Sequence, residues 1–247
     1  MKISLVIVTH NRKDVLPFIE EHWKRAGRPV DEVVWADNGS TDGMADCARA
    51  KSPEVLILNK QNQFYDRAYN QCCVMATGDW ICNSGSPDYV GDHDWLKAMC
   101  DVAESGEVDM VSIWSCDYGS AKERHTSGEP RTINGRACAP GIPFEVHMFR
   151  RSMLSVVGYM RQDFGQYGWT DCEFADRVRR TGVRCVVLTD FRVRRNAHLL
   201  SPTNVQYNGE IIEVSEWKRR EVSNPHKMAM LNKCRAEGFQ YYNPFTP

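Results

Sequence analysis

Two stretches of sequence decide the fold: Ile3-Ser-Leu-Val-Ile-Val-Thr-His-Asn-Arg12 and Glu32-Val-Val-Trp-Ala-Asp-Asn-Gly-Ser-Thr-Asp-Gly43. Each begins with a short apolar run and ends in a polar loop, which is typical of a buried strand. Residues 15–23 carry apolar side chains at helical spacing, so the first stretch predicts a strand, a loop and a helix in succession. Repetition of this order predicts a parallel sheet covered by helices.

The rest of the chain extends the same pattern. Val55–Leu58 and Trp80–Asn83 are predicted strands, with a predicted helix over 68–76 between them. In the second half we expect strands over 109–114, 143–149 and 185–189, a helix over 170–180, and a loop over the Gly, Pro and Ala residues of 135–143. Ser40 or Thr41 is expected to cap the helix that follows the second strand.

Composition limits the class of protein. The chain has 247 residues, 42% hydrophobic and 26% charged, which are ordinary values for a globular α/β protein. No apolar run approaches the roughly 18 to 20 residues that span a bilayer, so no transmembrane segment is predicted. The ten cysteines include no CxxC pair, which favours free thiols and a cytoplasmic location over a disulfide framework or a zinc site.

The net charge of −1 conceals an asymmetry between the two halves. Residues 1–120 contain 11 Lys and Arg against 19 Asp and Glu, whereas residues 121–247 contain 20 against 13. The basic second half either faces a polyanion or simply carries solvated arginines. The first interpretation keeps an anionic acceptor, including a nucleic acid, among the possible partners.

A family resemblance rests on several motifs in order. The loops at 9–12 and 37–43, followed by the spaced set Asn62, Asn70, Ala76, Gly78 and Asp79, resemble the beginning of family 2 glycosyltransferases. The resemblance implies a GT-A fold, an α/β architecture with a Rossmann-like, mostly parallel sheet flanked by helices and a fused acceptor-binding half. We expect the nucleotide-sugar-binding half over 1–95, the acceptor-binding and catalytic half over 96–205, and a C-terminal helical extension over 206–247.

The resemblance implies a nucleotide-sugar donor, with UDP as the expected nucleotide. Ligands of such sheets bind outside the carboxyl ends of the strands, where short polar side chains can bond to a base and a ribose. Asp37, for example, can accept from the imide N–H of uracil. The residues expected to bind the donor are Thr9, His10, Asn11, Arg12, Asp37, Ser40, Arg67 and Asn70.

The family also implies a divalent metal, Mn²⁺ or Mg²⁺, which offsets the charge of the diphosphate leaving group. Its usual Asp-x-Asp motif is replaced here by Ser86-Pro87-Asp88. We therefore expect Asp88 to be a metal ligand, with the late His198 as a possible second one. The nearby acidic segment 92–94 either compensates for the lost carboxylate or forms a charged helix start.

A second motif resembles the start of the acceptor-side helix of inverting members. It is Tyr167-Gly-Trp-Thr-Asp-Cys-Glu-Phe-Ala-Asp-Arg177, which aligns Asp171 with the family's general base. A carboxylate there would deprotonate the acceptor hydroxyl. Tyr167, Trp169 and Thr170 are the expected acceptor-binding residues; Thr170 replaces the usual Glu, and the two aromatic residues either stack on a ring or belong to the core.

These observations predict an inverting hexosyl- or pentosyltransferase that moves a sugar from UDP to an acceptor hydroxyl. The same chemistry on a polyanionic acceptor, such as a hydroxymethylated base in DNA, is one alternative. An inactive nucleotide-sugar-binding module is another, because the metal motif has lost a carboxylate. The sequence leaves open the sugar, the acceptor, the oligomeric state, inverting versus retaining stereochemistry, and whether the metal is essential.

Overall fold

The structure is a computed structural model that describes residues 1–83, 89–115, 128–165, 169–195, 204–207, 210–238 and 241–245. Its strands are β1 Ile3–Thr9, β2 Glu32–Asp37, β3 Val55–Leu58, β4 Trp80–Asn83, β5 Tyr89–Gly91, β6 Met110–Ser115, β7 Arg131–Ile133, β8 Arg136–Pro140, β9 Val146–Arg150, β10 Cys185–Arg195, β11 Asn204–Tyr207 and β12 Glu210–Glu213. Its α-helices are α1 Leu16–Lys24, α2 Met44–Ala50, α3 Tyr65–Met75, α4 Trp95–Ala103, α5 Leu154–Val157, α6 Thr170–Arg180, α7 Val214–Val222 and α8 Pro225–Glu237.

One large sheet organises the chain, with strand order β3-β2-β1-β4-β9-β6-β10-β8-β7 and with β5 paired to β10. β1 to β4 are mutually parallel, and β9 then inserts antiparallel between β4 and β6. β6 and β10 are parallel to each other and run in the direction of β4. The expected Rossmann-like, mostly parallel sheet with flanking helices is confirmed, and the polar loops after β1 and β2 leave from the same edge.

The apolar runs of the first strands arise because helices cover both faces of the sheet. On β1, Leu5 and Ile7 pack into one buried cluster that includes Trp95 of α4. Val6 points the other way and joins a second cluster with Tyr69 of α3 and Phe174 of α6. The second cluster therefore connects β1 and α3 to the helix that begins at Thr170.

The prediction of a loop over 135–143 is wrong, because β8 occupies most of that segment. β7 and β8 form a hairpin in which Ile133 pairs with Arg136, leaving Asn134 and Gly135 as a two-residue turn with φ of 46° and 77°. Asn-Gly is the preferred sequence for such a turn. The small residues of β8 join the sheet because they pair with β10, which lies far along the chain.

The expected cap of α2 is also wrong. Gly43 holds the N-cap position with φ of 88°, and no side chain caps the helix from there. Instead Asp42 Oδ1 accepts from the Met44 amide at 3.0 Å, while the Ser40 hydroxyl is used elsewhere. In this loop Asp42 therefore serves the start of α2, while Ser40 contacts Asn11 in the loop after β1.

The C-terminal part adds the hairpin β11–β12 and the helices α7 and α8. α8 contacts α6, where Arg235 Nε lies 2.7 Å from Asp176 Oδ2. No helix within the described ranges combines the length and the apolar character needed to cross a membrane. Every cysteine in those ranges is a free thiol.

Candidate active site

The loops that follow β1 and β2 are held together by a set of short hydrogen bonds. The Asn38 amide donates to the Thr9 carbonyl at 2.7 Å, and the Asn11 amide donates to Ser40 Oγ at 2.9 Å. Asn11 Oδ1 in turn accepts from the Thr41 amide at 2.7 Å. Because backbone groups of each loop bond to side chains of the other, the two loops form one preshaped rim at the sheet edge.

Asp37 lies at the base of this rim and is only 2% exposed. Its Oδ2 accepts from the Ser40 amide at 3.0 Å and its Oδ1 from Ser40 Oγ at 2.6 Å. Thr9 Oγ1 accepts from Trp35 Nε1 at 3.0 Å and lies 3.5 Å from Asp37 Oδ1. The buried carboxylate is therefore stabilised by donors from the loop after β2, with the Thr9 hydroxyl of β1 nearby, and a carboxylate has capacity for further donors from a ligand.

A cleft of about 300 Å³ opens beside this rim. Its lining includes His10, Arg12, Asn38, Phe64, Tyr65 and Trp217. Within the described part of the chain, His10 Nδ1 and the Nε and Nη2 atoms of Arg12 are buried and make no hydrogen bond. Arg12 Nε also lies 3.5 Å from Asp14 Oδ1 in an ion pair. Buried polar atoms without hydrogen bonds are costly, so His10 Nδ1 and Arg12 Nη2 are suited to an anionic or polar ligand.

The remaining donor-side predictions, Arg67 and Asn70, lie on α3. The exposed Arg67 donates from Nε to Gln162 Oε1 at 3.1 Å and from Nη1 to Gln63 Oε1 at 3.3 Å. Asn70 is 1% exposed, and both ends of its amide bond to the backbone of Met160, at 2.7 and 3.1 Å. Asn70 thereby joins α3 to the segment before α6, whereas Arg67 remains accessible to a ligand.

The start of α6 presents the predicted base. Trp169 takes the N-cap position with φ of 71°, in the left-handed region, and this turn directs the chain into the helix. Asp171 is exposed, and its Oδ1 accepts from the Cys172 amide at 2.9 Å. Thr170 Oγ1 donates to Asp66 Oδ2 at 3.0 Å, which ties the start of α6 to the first turn of α3.

Two carboxyl groups that the sequence analysis did not select lie near Asp171. Burial raises the pKa of Asp66 to about 7, and the charge of Asp171 adds to the increase, while the Thr170 hydroxyl and Lys227 act against it. Burial also raises the pKa of Glu145, again with a contribution from Asp171. Glu145 Oε2 is buried and makes no hydrogen bond within the described residues.

The position of Glu145 is fixed by its neighbours in sequence. His147 Nδ1 lies 3.2 Å from the Phe144 carbonyl and must donate to it, so His147 Nε2 accepts from Tyr69 Oη at 3.0 Å. Burial lowers the pKa of His147 to about 4, which keeps the ring neutral in this arrangement. The ring of Phe144 packs edge-on against Phe174 of α6, with centroids 5.4 Å apart.

The metal ligands predicted from the sequence, Asp88 and His198, lie outside the described residues, as does Tyr167. The described strands on either side of them are paired, since Tyr89 of β5 lies opposite Arg195 of β10. Asp92 continues this contact, because its Oδ2 accepts from the Arg192 amide at 2.9 Å. Within the described ranges, no group of three or more His, Cys, Asp or Glu side chains forms a metal site.

The family model for glycosyl transferase family 2 matches residues 4–157, which include β1 to β4 and the rim described above. The chain belongs to this family. Glycosyltransferases named for PGL/p-HBAD biosynthesis, from Mycobacterium tuberculosis and Mycobacterium bovis, are 27% identical over 164 residues. That match covers 63% of this chain and 61% of theirs, so the chain spans about three fifths of the length of these curated relatives.

Solved structures share the fold of this family 2 member. S. aureus TarS in complex with UDP superposes with a TM-score of 0.59 and 17% identity, over 80% of this chain and 61% of that one. GalNAc-T7 with UDP, GalNAc and Mn²⁺ gives a TM-score of 0.59 and 13% identity, over 79% of this chain and 44% of that one. The predicted GT-A fold is thereby confirmed, and the glycosyltransferase prediction is confirmed at the level of the family.

Sequence reasoning missed three residues that the structure brings to the site: Asp66, Glu145 and Trp217. Asp66 resembles any acidic residue in the first turn of a helix, and Glu145 any charged residue before a strand. Trp217 lies on α7, far along the chain from the rim that it faces. No local pattern could have selected them, because their significance arises from neighbours that are distant in sequence.

Proposed function

We propose that this chain is an inverting glycosyltransferase that transfers a sugar from a nucleotide diphosphate, with UDP foremost, to an acceptor hydroxyl. The observation that carries the proposal is the cleft beside the rim of β1 and β2, which combines aromatic rings with buried polar atoms that make no hydrogen bond. Such a lining suits a ligand with a planar base and an anionic group. Membership of family 2 supports the same class of donor.

In the proposed donor site, Thr9, Asp37 and Ser40 define the wall at the end of the sheet, and Asp37 receives the base imide. His10 and Arg12 supply donors to the sugar-phosphate part, with Asn11 bracing the loop. Arg67 is exposed, and we propose that its guanidinium binds the phosphates. Asn70 is proposed as a positioning residue, since its amide is already bonded to Met160.

We propose Asp88 and His198 as ligands of a divalent cation, with Mn²⁺ preferred to Mg²⁺ because imidazole is a poor ligand for Mg²⁺. The pairing of Tyr89 with Arg195 supports this assignment, since Asp88 directly precedes one of these residues and His198 follows the other by three positions. A bound cation there would offset the charge of the departing diphosphate.

Asp171 is proposed as the general base that takes the proton of the acceptor hydroxyl. Its exposed carboxylate at the start of α6 is accessible to an acceptor, and only one described hydrogen bond engages it. Trp169 and Thr170 flank it and are proposed, with Tyr167, as acceptor-binding residues. The partly buried carboxyl groups of Asp66 and Glu145 lie near this base, and the charge of Asp171 contributes to the raised pKa of each.

A neutral, glycan-like hydroxyl acceptor fits the acceptor side better than a polyanion. The arginines that make the second half basic are largely occupied within the protein: Arg177 pairs with Glu173, Arg179 with Asp176 and Arg184 with Asp109. Arg192 donates to the carbonyls of Thr189 and Phe191. Side chains already bonded in this way are poorly placed to neutralise phosphates.

A panel of UDP, GDP, CDP and ADP, each with and without Mn²⁺, tests the proposal by thermal shift and calorimetry. We expect UDP to stabilise the protein by about 2.7 kcal/mol at a hundredfold excess over its Kd. Asp37→Ala should abolish most of this shift, and Asp88→Ala should remove only the part that depends on Mn²⁺. Failure of every nucleotide to bind would overturn the proposed function.

A further inference from the structure

One wall of the proposed donor cleft comes from the C-terminal part of the chain. The family match ends at residue 157, yet Trp217 of α7 lines the cleft together with residues that follow β1, β2 and β3. Trp217 is only partly buried there. A segment outside the matched region thus contributes a large aromatic surface to the nucleotide side of the site.

The opposite side of the cleft also carries aromatic rings. Phe64 and Tyr65 are 38% and 39% exposed, unusually open for large side chains beside a cleft. Phe64 has φ of 64°, in the left-handed region that bulky residues avoid, and Asn38 and Asn62 hold its backbone there by hydrogen bonds of 3.2 and 2.9 Å. A strained backbone that keeps a ring at a cleft indicates a binding role.

The helix that carries Trp217 is braced against the rest of the protein. Glu221 of α7 forms a buried ion pair with Lys227 of α8, and Arg235 of α8 pairs with Asp176 of α6 at 2.7 Å. α7 is therefore linked through α8 to the helix that begins at the proposed base. This bracing fixes the aromatic wall, which lowers the entropy cost of stacking a ligand on it.

We propose that Trp217 stacks on the nucleobase of the donor, which makes the C-terminal segment part of the donor site. The proposal rests on the proposed function, and the ligand it names is a nucleoside diphosphate. The base lies between the indole of Trp217 and the rings that follow β3, while His10 and Arg12 face the polar part of the ligand. Stacking of this kind tolerates different bases, because every base has a π-face.

Calorimetry with two ligands tests this role. Trp217→Ala should weaken UDP binding by about tenfold, in line with the usual contribution of base stacking, and should leave binding of inorganic pyrophosphate with Mn²⁺ unchanged. The matched control is Arg219→Ala, on the same helix with a side chain that is 72% exposed, and it should bind both ligands as the wild type does.

A second variant, Trp217→Phe, is tested by fluorescence. UDP should quench the tryptophan emission of the wild type, and Trp217→Phe should keep UDP affinity within about threefold while losing most of the quench. The inference is overturned if Trp217→Ala binds UDP like the wild type, or if it loses UDP and pyrophosphate equally. Absence of nucleotide binding in the wild type would instead overturn the proposed function from which the inference starts.

Discussion

The rim formed by the loops after β1 and β2 differs from the start of α6 in how its carboxyl groups are stabilised. In the rim, Asp37 is buried but receives hydrogen bonds from the amide and the hydroxyl of Ser40, and Asn11 bonds to the loop of the other strand. Near α6, burial raises the pKa of Asp66 and of Glu145, and one oxygen of Glu145 makes no hydrogen bond within the described residues.

This difference matches the two roles that we propose for these regions, nucleotide binding at the rim and proton transfer at Asp171. The hydrogen bonds among Asn11, Asp37 and Ser40 hold the two loops in one shape before any ligand arrives, so little ordering of these loops is needed on binding. Burial and the charge of Asp171 raise the pKa of Asp66 and of Glu145, and such shifts suit the proton transfer that we propose for Asp171. The four predictions below test this contrast, from the largest expected effect to the smallest.

Replacement of the proposed base should have the largest effect. Asp171→Asn should lower the rate of sugar transfer by about 10² to 10⁴, because the acceptor hydroxyl loses its proton acceptor, and should leave the Kd for UDP unchanged. Steady-state kinetics and calorimetry measure the two quantities. Asp176→Asn, on the same helix, is the control and should keep the rate within about threefold. An unaltered rate in Asp171→Asn would favour an inactive binding module.

Within α6, the buried ion pair of Arg177 and Glu173 should matter for folding rather than for chemistry. The two side chains are 4% and 6% exposed, and Arg177 also donates to the carbonyls of Val157 and Tyr159. Arg177→Ala should lower the free energy of unfolding by about 3 to 5 kcal/mol, since Glu173 is left buried without its partner. Denaturant titration measures this change.

The control for this prediction is Arg179→Ala, which removes an arginine that is 53% exposed. It should cost less than about 1 kcal/mol, because exposed ion pairs contribute little. Equal losses of unfolding free energy in the two variants would contradict the view that the buried face of α6 stabilises the fold.

The raised pKa of Asp66 should make stability depend on pH. The unfolded carboxyl releases its proton near its ordinary pKa of 3.8, whereas the folded one holds it up to about 7, so this group destabilises the fold progressively as pH rises through that window. Between pH 5 and pH 8, the wild type should lose about 2 to 3 kcal/mol more of its unfolding free energy than Asp66→Asn does.

Thr170→Val provides a second variant for the same prediction. The hydrogen bond from Thr170 to Asp66 lowers the pKa of that carboxyl, so its removal should move the pH-dependent loss of stability to higher pH. Unfolding curves measured every half pH unit follow the shift. Parallel pH profiles for the wild type and Asp66→Asn would show that the acceptor side is no more proton-sensitive than the rim.

The smallest effect is expected in the rim. Ser40→Ala removes the hydroxyl that donates to Asp37 and accepts from the Asn11 amide, which should cost about 1 to 2 kcal/mol in unfolding free energy and weaken UDP binding several-fold. Ser155→Ala, whose exposed hydroxyl bonds within its own turn, should change neither quantity noticeably. A pH-dependent loss of affinity in Ser40→Ala would break the contrast between the two sides.

Much of the first half of the fold could be predicted because its signals are local. The strands Ile3–Thr9, Val55–Leu58 and Trp80–Asn83 agree with their predicted bounds, since each is a short apolar run that ends at a polar loop. β8 was missed because its Ala and Cys residues form a strand only when β10 pairs with them. The Asn134-Gly135 dipeptide before β8 was a sequence signal for a hairpin turn, and both residues have positive φ in the structure.

The sequence by itself determined the family, the strand-end loops and the placement of Asp171 in the first turn of a helix, because each depends on residues that are adjacent along the chain. Only the tertiary structure decided which carboxyls lie near Asp171 and which C-terminal aromatic ring lines the cleft beside the rim. Thr170 and Asp66 are separated by 104 positions but lie in hydrogen-bond contact. Burial and charge coupling arise from packed neighbours, and no sequence pattern specifies which distant segments will supply them.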